Sequence, residues 1–535
     1  MLDRLATILS VMQEQGQSCM NLWRSYPYPL AILTLALVTS STAASAATPN
    51  RSELGAAWQS VECTTFEVPA SVASQSDCGY VTVPEQHGQS QGRIIQLAVV
   101  RTRSSSRAPA ADPLFVLQGG PGDSGIGVFA NQVLPLFPEL KALLASRDLI
   151  IIQERGTRYS KPFLSCPEIN AHNIAVVQGQ QSYTDTGWFK ACNDRLKKQG
   201  MNPNAFNTRE NAADVFAVAE TLAYKQFNFY GVSYGTLLGQ YVIEQADRHQ
   251  VKLRSAILDG VIRPDIDFNL ASGHTISYAL RNVFHACAQD RQCSQVYPNL
   301  ETKFLAIVDR LSQKPVSVTL AIPSTKEPIV AKLDGNTFIN GIAHYLYRPY
   351  SGESSRGSSL PRLIHAASKN NYGWIADKLS EDLESNDSAK EMYHTVLCAR
   401  AKSFQVSPSE VLPRPYPQLI SFGIREAEVG RKVCEILQVE QKPVFTFVSS
   451  EIPVLVLNGA YDPVTPQPYG EAVAMKMINA HSFTFPGVGH GVLMVPPKMS
   501  AGTCATQMAD DFLRNPKQPP NSDCLSRIKP EFVVE

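Results

Sequence analysis

A pentapeptide between a predicted strand and a predicted helix constrains the fold of this 535-residue chain most strongly. Gly231-Val232-Ser233-Tyr234-Gly235 directly follows the apolar run Phe227-Asn228-Phe229-Tyr230 and precedes a segment of helical spacing that extends to about Ala246. Glycines two residues before and after a serine permit the strained turn that exposes its hydroxyl at a sheet edge. The segment therefore predicts a strand, a sharp turn and a helix, with Ser233 as a nucleophile. A plain serine in a β-turn-α connection is the alternative.

Short apolar runs alternate with helical segments along most of the chain. This alternation is typical of the α/β class, in which helices cover both faces of a mostly parallel sheet. From about residue 265 to 448 the pattern becomes mainly helical, with one β-like piece at 316–320. We therefore predict a helical domain inserted between two strands of the sheet. The predicted strands are residues 113–117, 148–153, 227–230, 255–260, 454–457 and 482–485.

The first 46 residues have the order of a secretory signal. Arg24 precedes the apolar stretch 30–38, and Ala44-Ser45-Ala46 follows as a small-residue cleavage site. The stretch is too short to span a bilayer as a helix, although a membrane anchor is the alternative. Met20 is an alternative start. We expect an exported protein, periplasmic or extracellular, with no membrane span in the mature chain.

The cysteines fit an oxidising compartment. Of the 11 cysteines, Cys19 lies in the signal segment, which leaves ten in sequence-close couples. Short loops favour pairing within each couple, although sequence alone does not determine connectivity. In a reducing compartment the same cysteines would be small buried residues. The predicted disulfides are Cys63–Cys78, Cys166–Cys192, Cys287–Cys293, Cys398–Cys434 and Cys504–Cys524.

Charge and motif content exclude several kinds of partner. The chain has 48 Lys and Arg residues and 48 Asp and Glu residues, so it lacks the basic excess that nucleic-acid binding requires. No C-x-x-C zinc or redox motif is present. Residues 120–125 match the dinucleotide fingerprint G-x-G-x-x-G, but Pro121 has no N–H to offer a phosphate. We predict no cofactor and no metal site.

A nucleophilic serine needs a base, and the base needs an acid that orients it. Asp462 follows the strand 454–457, and His490 follows the strand 482–485 between two glycines. In this prediction Ser233 attacks the substrate, His490 transfers the proton, and Asp462 holds the imidazole tautomer and stabilises the imidazolium. A surface loop histidine and a turn-capping aspartate are the alternatives.

Acyl transfer also needs hydrogen-bond donors for the developing oxyanion. One predicted donor is the N–H of Tyr234, the residue after the nucleophile. The other lies in the loop Gln118-Gly119-Gly120-Pro121-Gly122, where glycine lets the backbone approach the substrate closely. We predict the Gly120 N–H, with the Gly119 N–H as the alternative.

Together these motifs resemble the α/β-hydrolase serine exopeptidases of the prolyl iminopeptidase and tripeptidyl aminopeptidase family. The resemblance extends from about residue 78 to 515. The sequence departs from the family pattern in two segments: Gln118 replaces the usual His, and Gln153-Glu154 replaces the usual Asp-Gln. The matching segments are residues 119–122, 154–157, 231–236, 258–261, 458–466 and 489–491.

The resemblance implies an α/β-hydrolase core of residues 47–264 and 449–535, with residues 265–448 inserted as a mainly helical cap, after a signal peptide of residues 1–46. In such enzymes cap acids bind the α-ammonium group of the substrate. Candidates for that role are Glu381, Glu384 and Glu391.

The expected function is that of a secreted serine aminopeptidase. It would release N-terminal residues or short peptides from a short peptide substrate through an acyl-enzyme on Ser233. A carboxylesterase or other small-substrate hydrolase with the same triad is the alternative. A non-catalytic binding or scaffold protein is a third possibility, and the sequence does not give the oligomeric state.

Overall fold

The structure is a computed structural model that describes residues 58–89, 92–136, 145–349, 358–496 and 499–534. The predicted signal segment lies outside the described residues. Eleven strands occur in the described part of the chain. They are β1 (Trp58–Val61), β2 (Ser76–Pro84), β3 (Ile94–Thr102), β4 (Leu114–Leu117), β5 (Leu149–Ile152), β6 (Gln226–Val232), β7 (Lys252–Asp259), β8 (Val316–Ala321), β9 (Pro328–Leu333), β10 (Val454–Gly459) and β11 (Ala480–Phe485).

Nine of these strands form one sheet, in the spatial order β1-β2-β3-β5-β4-β6-β7-β10-β11. The pairs from β1 to β5 are antiparallel, and every pair from β5 to β11 is parallel. All six predicted strands are therefore present, and they form the parallel part. Because these strands run in one direction, the loops after β4, β6, β7, β10 and β11 meet at one edge of the sheet.

The helices connect these strands and form most of the segment between β7 and β10. Those before β7 are α1 (Ala70–Ala73), α2 (Ile126–Val133, a π-helix continued by Leu134–Leu136), α3 (Glu168–Val177), α4 (Gly187–Lys198), α5 (Thr208–Thr221) and α6 (Tyr234–Gln245). Those after β7 are α7 (Phe268–Gln289), α8 (Arg291–Val296), α9 (Leu300–Gln313), α10 (Gly335–Tyr347), α11 (Leu360–Ser368), α12 (Gly373–Glu381), α13 (Lys390–Ala399), α14 (Pro408–Val411), α15 (Pro417–Leu437), α16 (Gln467–Ala474) and α17 (Ser500–Arg514).

Apolar side chains pack against both faces of the sheet. Along β4, Phe115 and Leu117 belong to one buried cluster, whereas Leu114 and Val116 belong to a second cluster on the other face. This alternation follows from the two-residue period of a strand. Since both faces are covered, the parallel strands are apolar throughout, as the sequence pattern indicates.

The segment between β7 and β10 has its own apolar cluster, which includes Phe304, Phe338 and Ile364. It is mainly helical, as expected, but its β-like piece is β8 and pairs with a second strand, β9, that the sequence analysis missed. The assignment of residues 265–448 as an inserted cap stays a prediction. None of the described helices is long and apolar enough to cross a bilayer.

Five disulfides join the predicted cysteine couples. The bonded residues are Cys63–Cys78, Cys166–Cys192, Cys287–Cys293, Cys398–Cys434 and Cys504–Cys524. Each bridge closes a local loop of 6 to 36 residues.

Candidate active site

Ser233 occupies the turn between β6 and α6. Its backbone angles, φ 59° and ψ −123°, lie in a region that a residue with a side chain rarely adopts. The serine N–H donates to the carbonyl of Asp259 at 3.0 Å, and its carbonyl accepts the Thr236 N–H at 2.9 Å. The side chain is almost fully buried. These bonds hold Ser233 at the edge of the sheet, at the N-terminus of a helix.

The glycines around Ser233 have a steric role. A Cβ on Gly231 would lie 2.2 Å from the carbonyl oxygen of Gly235, and a Cβ on Gly235 would lie 2.7 Å from the carbonyl oxygen of Leu117. The obstructing atoms are backbone, which cannot move aside without disturbing the sheet. Only glycine fits these two positions, as the motif predicts.

His490 and Asp462 form a buried pair above the ends of β10 and β11. The distance from His490 Nδ1 to Asp462 Oδ2 is 2.7 Å. Asp462 Oδ1 accepts the N–H groups of Val464 and Thr465 at 2.8 Å each, and Oδ2 also accepts the Thr465 hydroxyl at 2.5 Å. With its carboxylate oxygens held in this way, Asp462 is placed to orient the imidazole.

The ionised form of Asp462 is favoured. Burial by itself would raise the pKa of this carboxyl, but the charge of His490 and the hydrogen bonds from His490 and Thr465 outweigh it. The pKa of Asp462 therefore lies below its usual range, and the group carries a negative charge beside His490 at neutral pH.

His490 Nε2, the other ring nitrogen, is buried and has no hydrogen-bond partner among the described residues. Nε2 therefore forms no hydrogen bond with the Ser233 hydroxyl in the described structure. Catalytic hydrogen bonds are often long without substrate and shorten in the reacting complex. The free Nε2 can therefore accept a proton from Ser233 or from a bound group.

Asp259, the last residue of β7, and Gly260, which follows it, support the histidine loop, a role that the sequence did not indicate. The buried carboxylate of Asp259 accepts the N–H groups of Val492 at 2.7 Å and Leu493 at 2.9 Å. Gly260 lies against the imidazole, because a Cβ there would be 3.1 Å from His490 Cε1. Residues 258–261 are one of the segments that match the family. Their partners in the loop of His490 are more than 200 residues away along the chain, so the sequence alone does not indicate these contacts.

The loop after β4 borders Ser233. A Cβ on Gly119 would lie 2.6 Å from Ser233 Cβ and 3.0 Å from its Oγ, so this glycine allows a very close approach. Gly120 adopts φ 111°, a conformation that favours glycine. Tyr234 is the first residue of α6, where the backbone N–H has no partner within the helix. The Gly120 and Tyr234 N–H groups stay predictions for the oxyanion hole, with Gly119 as the alternative.

Gln153, one of the departures from the family pattern, forms hydrogen bonds to the start of α2 and to Thr157. Its Oε1 accepts the Ile126 N–H at 3.0 Å, and its Nε2 donates to the Thr157 hydroxyl at 2.6 Å. Arg155 is fully buried and pairs with Asp214 through two hydrogen bonds of 2.8 and 2.6 Å. Both residues are thus tied into the structure of the core by these bonds.

Glu154, which also departs from the family pattern, is buried, and neither of its carboxylate oxygens has a hydrogen-bond partner among the described residues. Burial, together with the charges of Asp123 and Asp214, raises the pKa of Glu154 well above its usual value. These surroundings favour the protonated form of the carboxyl.

A cavity of about 370 Å³ lies next to the Asp462 loop, with Pro463 and Val464 in its wall. The segment between β7 and β10 contributes Glu426 of α15 and Tyr347 of α10 to this wall. Glu426 accepts a hydrogen bond from the Tyr183 hydroxyl at 2.8 Å and one from Arg425 at 3.2 Å. Its carboxylate is the acidic group lining this cavity.

The three cap acids selected from the sequence do not line this cavity. Glu381 is exposed and pairs with Lys378, and Glu384 accepts hydrogen bonds from Ser324. Glu391 is buried beside the Cys166–Cys192 disulfide. The sequence analysis missed Glu426 because its position opposite the Asp462 loop depends on how α15 packs.

One group of potential metal ligands occurs among the described residues. It consists of Cys166, Cys192 and Glu391. The two sulfurs are bonded to each other, so neither is a thiolate that could bind a metal ion.

Comparisons with known proteins place the C-terminal region in a known group. A model of the family described as "TAP-like protein" matches residues 423–524, which include Asp462 and His490. Tripeptidyl aminopeptidases of Streptomyces coelicolor and Streptomyces lividans are each 29% identical over 201 residues. That alignment covers 36% of this chain and 36% of each relative, so the match spans about a third of the length of these curated proteins.

Some solved structures also match most of this chain at low sequence identity. A proline iminopeptidase of Mycobacterium smegmatis is 16% identical, with a TM-score of 0.38, and covers 82% of this chain and 98% of its own. An esterase of Thermogutta terrifontis is 14% identical, with a TM-score of 0.32, over 82% of this chain and 99% of its own.

The fold is defined by the chain's own topology. A parallel sheet, a serine in a strained turn after β6, and an aspartate and a histidine after later strands occur in the order of the α/β-hydrolase fold. The sequence matches agree with the family resemblance of the motifs. The chain has the α/β-hydrolase fold, and it is similar to the prolyl iminopeptidase and tripeptidyl aminopeptidase family.

Proposed function

We propose that this protein is an exported serine aminopeptidase that removes N-terminal residues or short peptides from peptide substrates. The observation that carries this proposal is the buried Asp462–His490 pair, whose free Nε2 lies at the same sheet edge as the strained Ser233. The names of the curated relatives support a peptidase, and five disulfides favour an oxidising compartment.

In the proposed mechanism Ser233 Oγ attacks the carbonyl carbon of the scissile bond while His490 Nε2 takes its proton. The Gly120 and Tyr234 N–H groups stabilise the oxyanion. When the C–N bond breaks, the proton passes from His490 to the leaving nitrogen and the acyl group remains on Oγ. Water then attacks the ester carbonyl and gives a proton to His490. His490 passes this proton to Ser233 Oγ as the ester bond breaks and the acid is released, which restores Ser233.

Selection for a free N-terminus is proposed to depend on Glu426. An α-ammonium group is a cation that an enclosed carboxylate can bind by a charge-assisted hydrogen bond. Glu426 lines a cavity whose wall includes Pro463 and Val464, the residues directly after Asp462, and we propose that the substrate's α-ammonium group binds there. We treat residues 265–448 as the cap that brings this acid over the core.

A carboxylesterase with the same triad is the second candidate. The triad and oxyanion donors suit esters as well as amides. An ester substrate needs no ammonium site, so the carboxylate of Glu426 in the cavity wall favours the aminopeptidase.

The test replaces Glu426 by Gln and measures hydrolysis of a free-amine tripeptide anilide. We expect kcat/KM to fall about 10- to 100-fold, mainly through KM, because a hydrogen bond between charged groups is lost. Glu428→Gln is the matched control, since Glu428 lies on the same helix and forms an i,i+4 pair with Lys432.

Reaction of each variant with a serine-directed phosphonate reports whether the active site is intact. If Glu426→Gln and Glu428→Gln give the same kcat/KM as the unmodified protein, the role of Glu426 is wrong. If the unmodified protein hydrolyses short acyl esters and no free-amine anilide, the esterase assignment replaces the aminopeptidase.

A further inference from the structure

A second cavity, of about 270 Å³, lies beside His490. Its size is close to the lower end of the range for small-ligand sites, which is about 300–1,000 Å³. The wall is mostly apolar and includes Val128, Val488 and Met494. The guanidinium-bearing side chain of Arg348 belongs to the same wall.

Tyr347 is shared between this cavity and the one that contains Glu426. It lines both cavities, and its ring centroid is 4.4 Å from that of His490. Its carbonyl also accepts the His490 N–H at 2.9 Å. The two cavities therefore both border a tyrosine that is packed on the candidate catalytic base.

The chemistry of the proposed reaction gives the two cavities different roles. In an aminopeptidase the substrate's N-terminus belongs to the acyl part, and we assign it to the Glu426 cavity. His490 must deliver its proton to the leaving nitrogen as the C–N bond breaks. The cavity that has His490 in its wall is then the one that receives the leaving fragment.

Arg348 has no carboxylate partner within ion-pair distance among the described residues. Its guanidinium carbon lies 5.6 Å from the centroid of the Tyr347 ring, and its Nη2 lies 3.9 Å from the Met494 sulfur. A guanidinium is always charged in proteins, and its planar donors match the two oxygens of a carboxylate. Because Arg348 is exposed and lies in the cavity wall, an anionic group that enters the cavity can reach it.

We propose that this cavity binds the leaving fragment and that Arg348 pairs with the fragment's C-terminal carboxylate. This inference rests on the proposed aminopeptidase function. The acyl part stays on Ser233 Oγ, and the proton that His490 took from Ser233 goes to the leaving nitrogen. The fragment then departs as an amine with its carboxylate on Arg348. The small volume selects short leaving fragments with a free C-terminus.

The experiment uses alanine peptides of two to six residues with a free N-terminal amine, each as the free acid and as the C-terminal carboxamide. For the length cleaved best, we expect the mature protein to favour the acid over the amide about tenfold or more in kcat/KM. In Arg348→Gln the acid-to-amide ratio should fall to about one, and Arg348→Lys should restore part of it. Arg514→Gln, an exposed arginine of α17 paired with Asp510, is the matched control and should keep the ratio.

A free-amine tripeptide anilide, whose leaving group has no carboxylate, separates the two hypotheses. If the anilide is cleaved but the acid-to-amide ratio of the mature protein is near one, the inference about Arg348 is wrong and the aminopeptidase proposal stands. The inference is also wrong if Arg348→Gln keeps the ratio. If neither the anilide nor any peptide is cleaved, both proposals are wrong. Thermal unfolding of each variant reports whether it is folded.

Discussion

At the scale of single residues, the candidate site depends on which polar groups have partners. Every oxygen of Asp462 accepts a hydrogen bond, whereas His490 Nε2 has none. The sequence predicted both side chains from their places after strands. It could not predict that Thr465 supports Asp462, because a threonine three residues after an aspartate has many possible roles.

Glu391 gives a prediction about pH and stability. Burial raises the pKa of its carboxyl to about 8, although Lys197 and Arg195 act in the opposite direction. In the unfolded chain a glutamate loses its proton near pH 4.3. The folded chain therefore binds more protons between about pH 4 and pH 8, and this group's contribution makes the free energy of unfolding fall as the pH rises.

Glu391→Gln removes this titration and keeps a side chain of the same shape. The difference in free energy of unfolding between the variant and the unmodified protein should shift in the variant's favour by about 3 kcal/mol from pH 5 to pH 8. Urea unfolding at these two pH values measures the gain. The exposed Glu381→Gln is the control, and equal pH dependence in all three proteins would contradict the prediction.

At the scale of elements, the β6-turn-α6 unit is the most rigidly specified part of the site. Its sequence predicted it well because local sterics determine it: only glycine fits at Gly231 and Gly235. The contact of Asp259 with the loop after His490 was not predictable, since it joins residues 233 positions apart. The pairing of β9 was missed for a related reason, because a short exposed strand has little apolar pattern.

Gly231→Ala tests the steric account of this turn. The added Cβ would be 2.2 Å from the Gly235 carbonyl oxygen, so strand and helix must separate. We expect the free energy of unfolding to fall by about 3 kcal/mol or more, with loss of phosphonate reaction at Ser233. In the control Gly373→Ala the nearest atom is a side-chain oxygen at 3.9 Å, and stability should be unchanged or rise by up to about 1 kcal/mol. Similar stability of the two variants would show that the turn tolerates a side chain.

At the scale of the whole molecule, each disulfide closes a short loop of the chain. Cys398–Cys434 links α13 to α15 within the predicted cap, across 36 residues, whereas Cys287–Cys293 closes a loop of only 6. A bridge stabilises a protein mainly by restricting the unfolded chain, and the effect grows with loop length.

Paired Cys→Ala variants of these two bridges should therefore differ. We expect the loss of Cys398–Cys434 to cost about 4 kcal/mol and the loss of Cys287–Cys293 about 2 kcal/mol. Urea unfolding of both double variants under non-reducing conditions measures the two losses. A larger loss for the shorter loop would contradict the loop-length explanation.

The aminopeptidase assignment is the central claim for the molecule as a whole, and one comparison tests it most directly. Hydrolysis of a free-amine tripeptide anilide is measured beside that of its N-acetylated twin, with the mature protein and with Ser233→Ala. We predict that only the free-amine substrate is cleaved and that Ser233→Ala removes this activity. Equal cleavage of both substrates, or activity that survives in Ser233→Ala, would contradict the account.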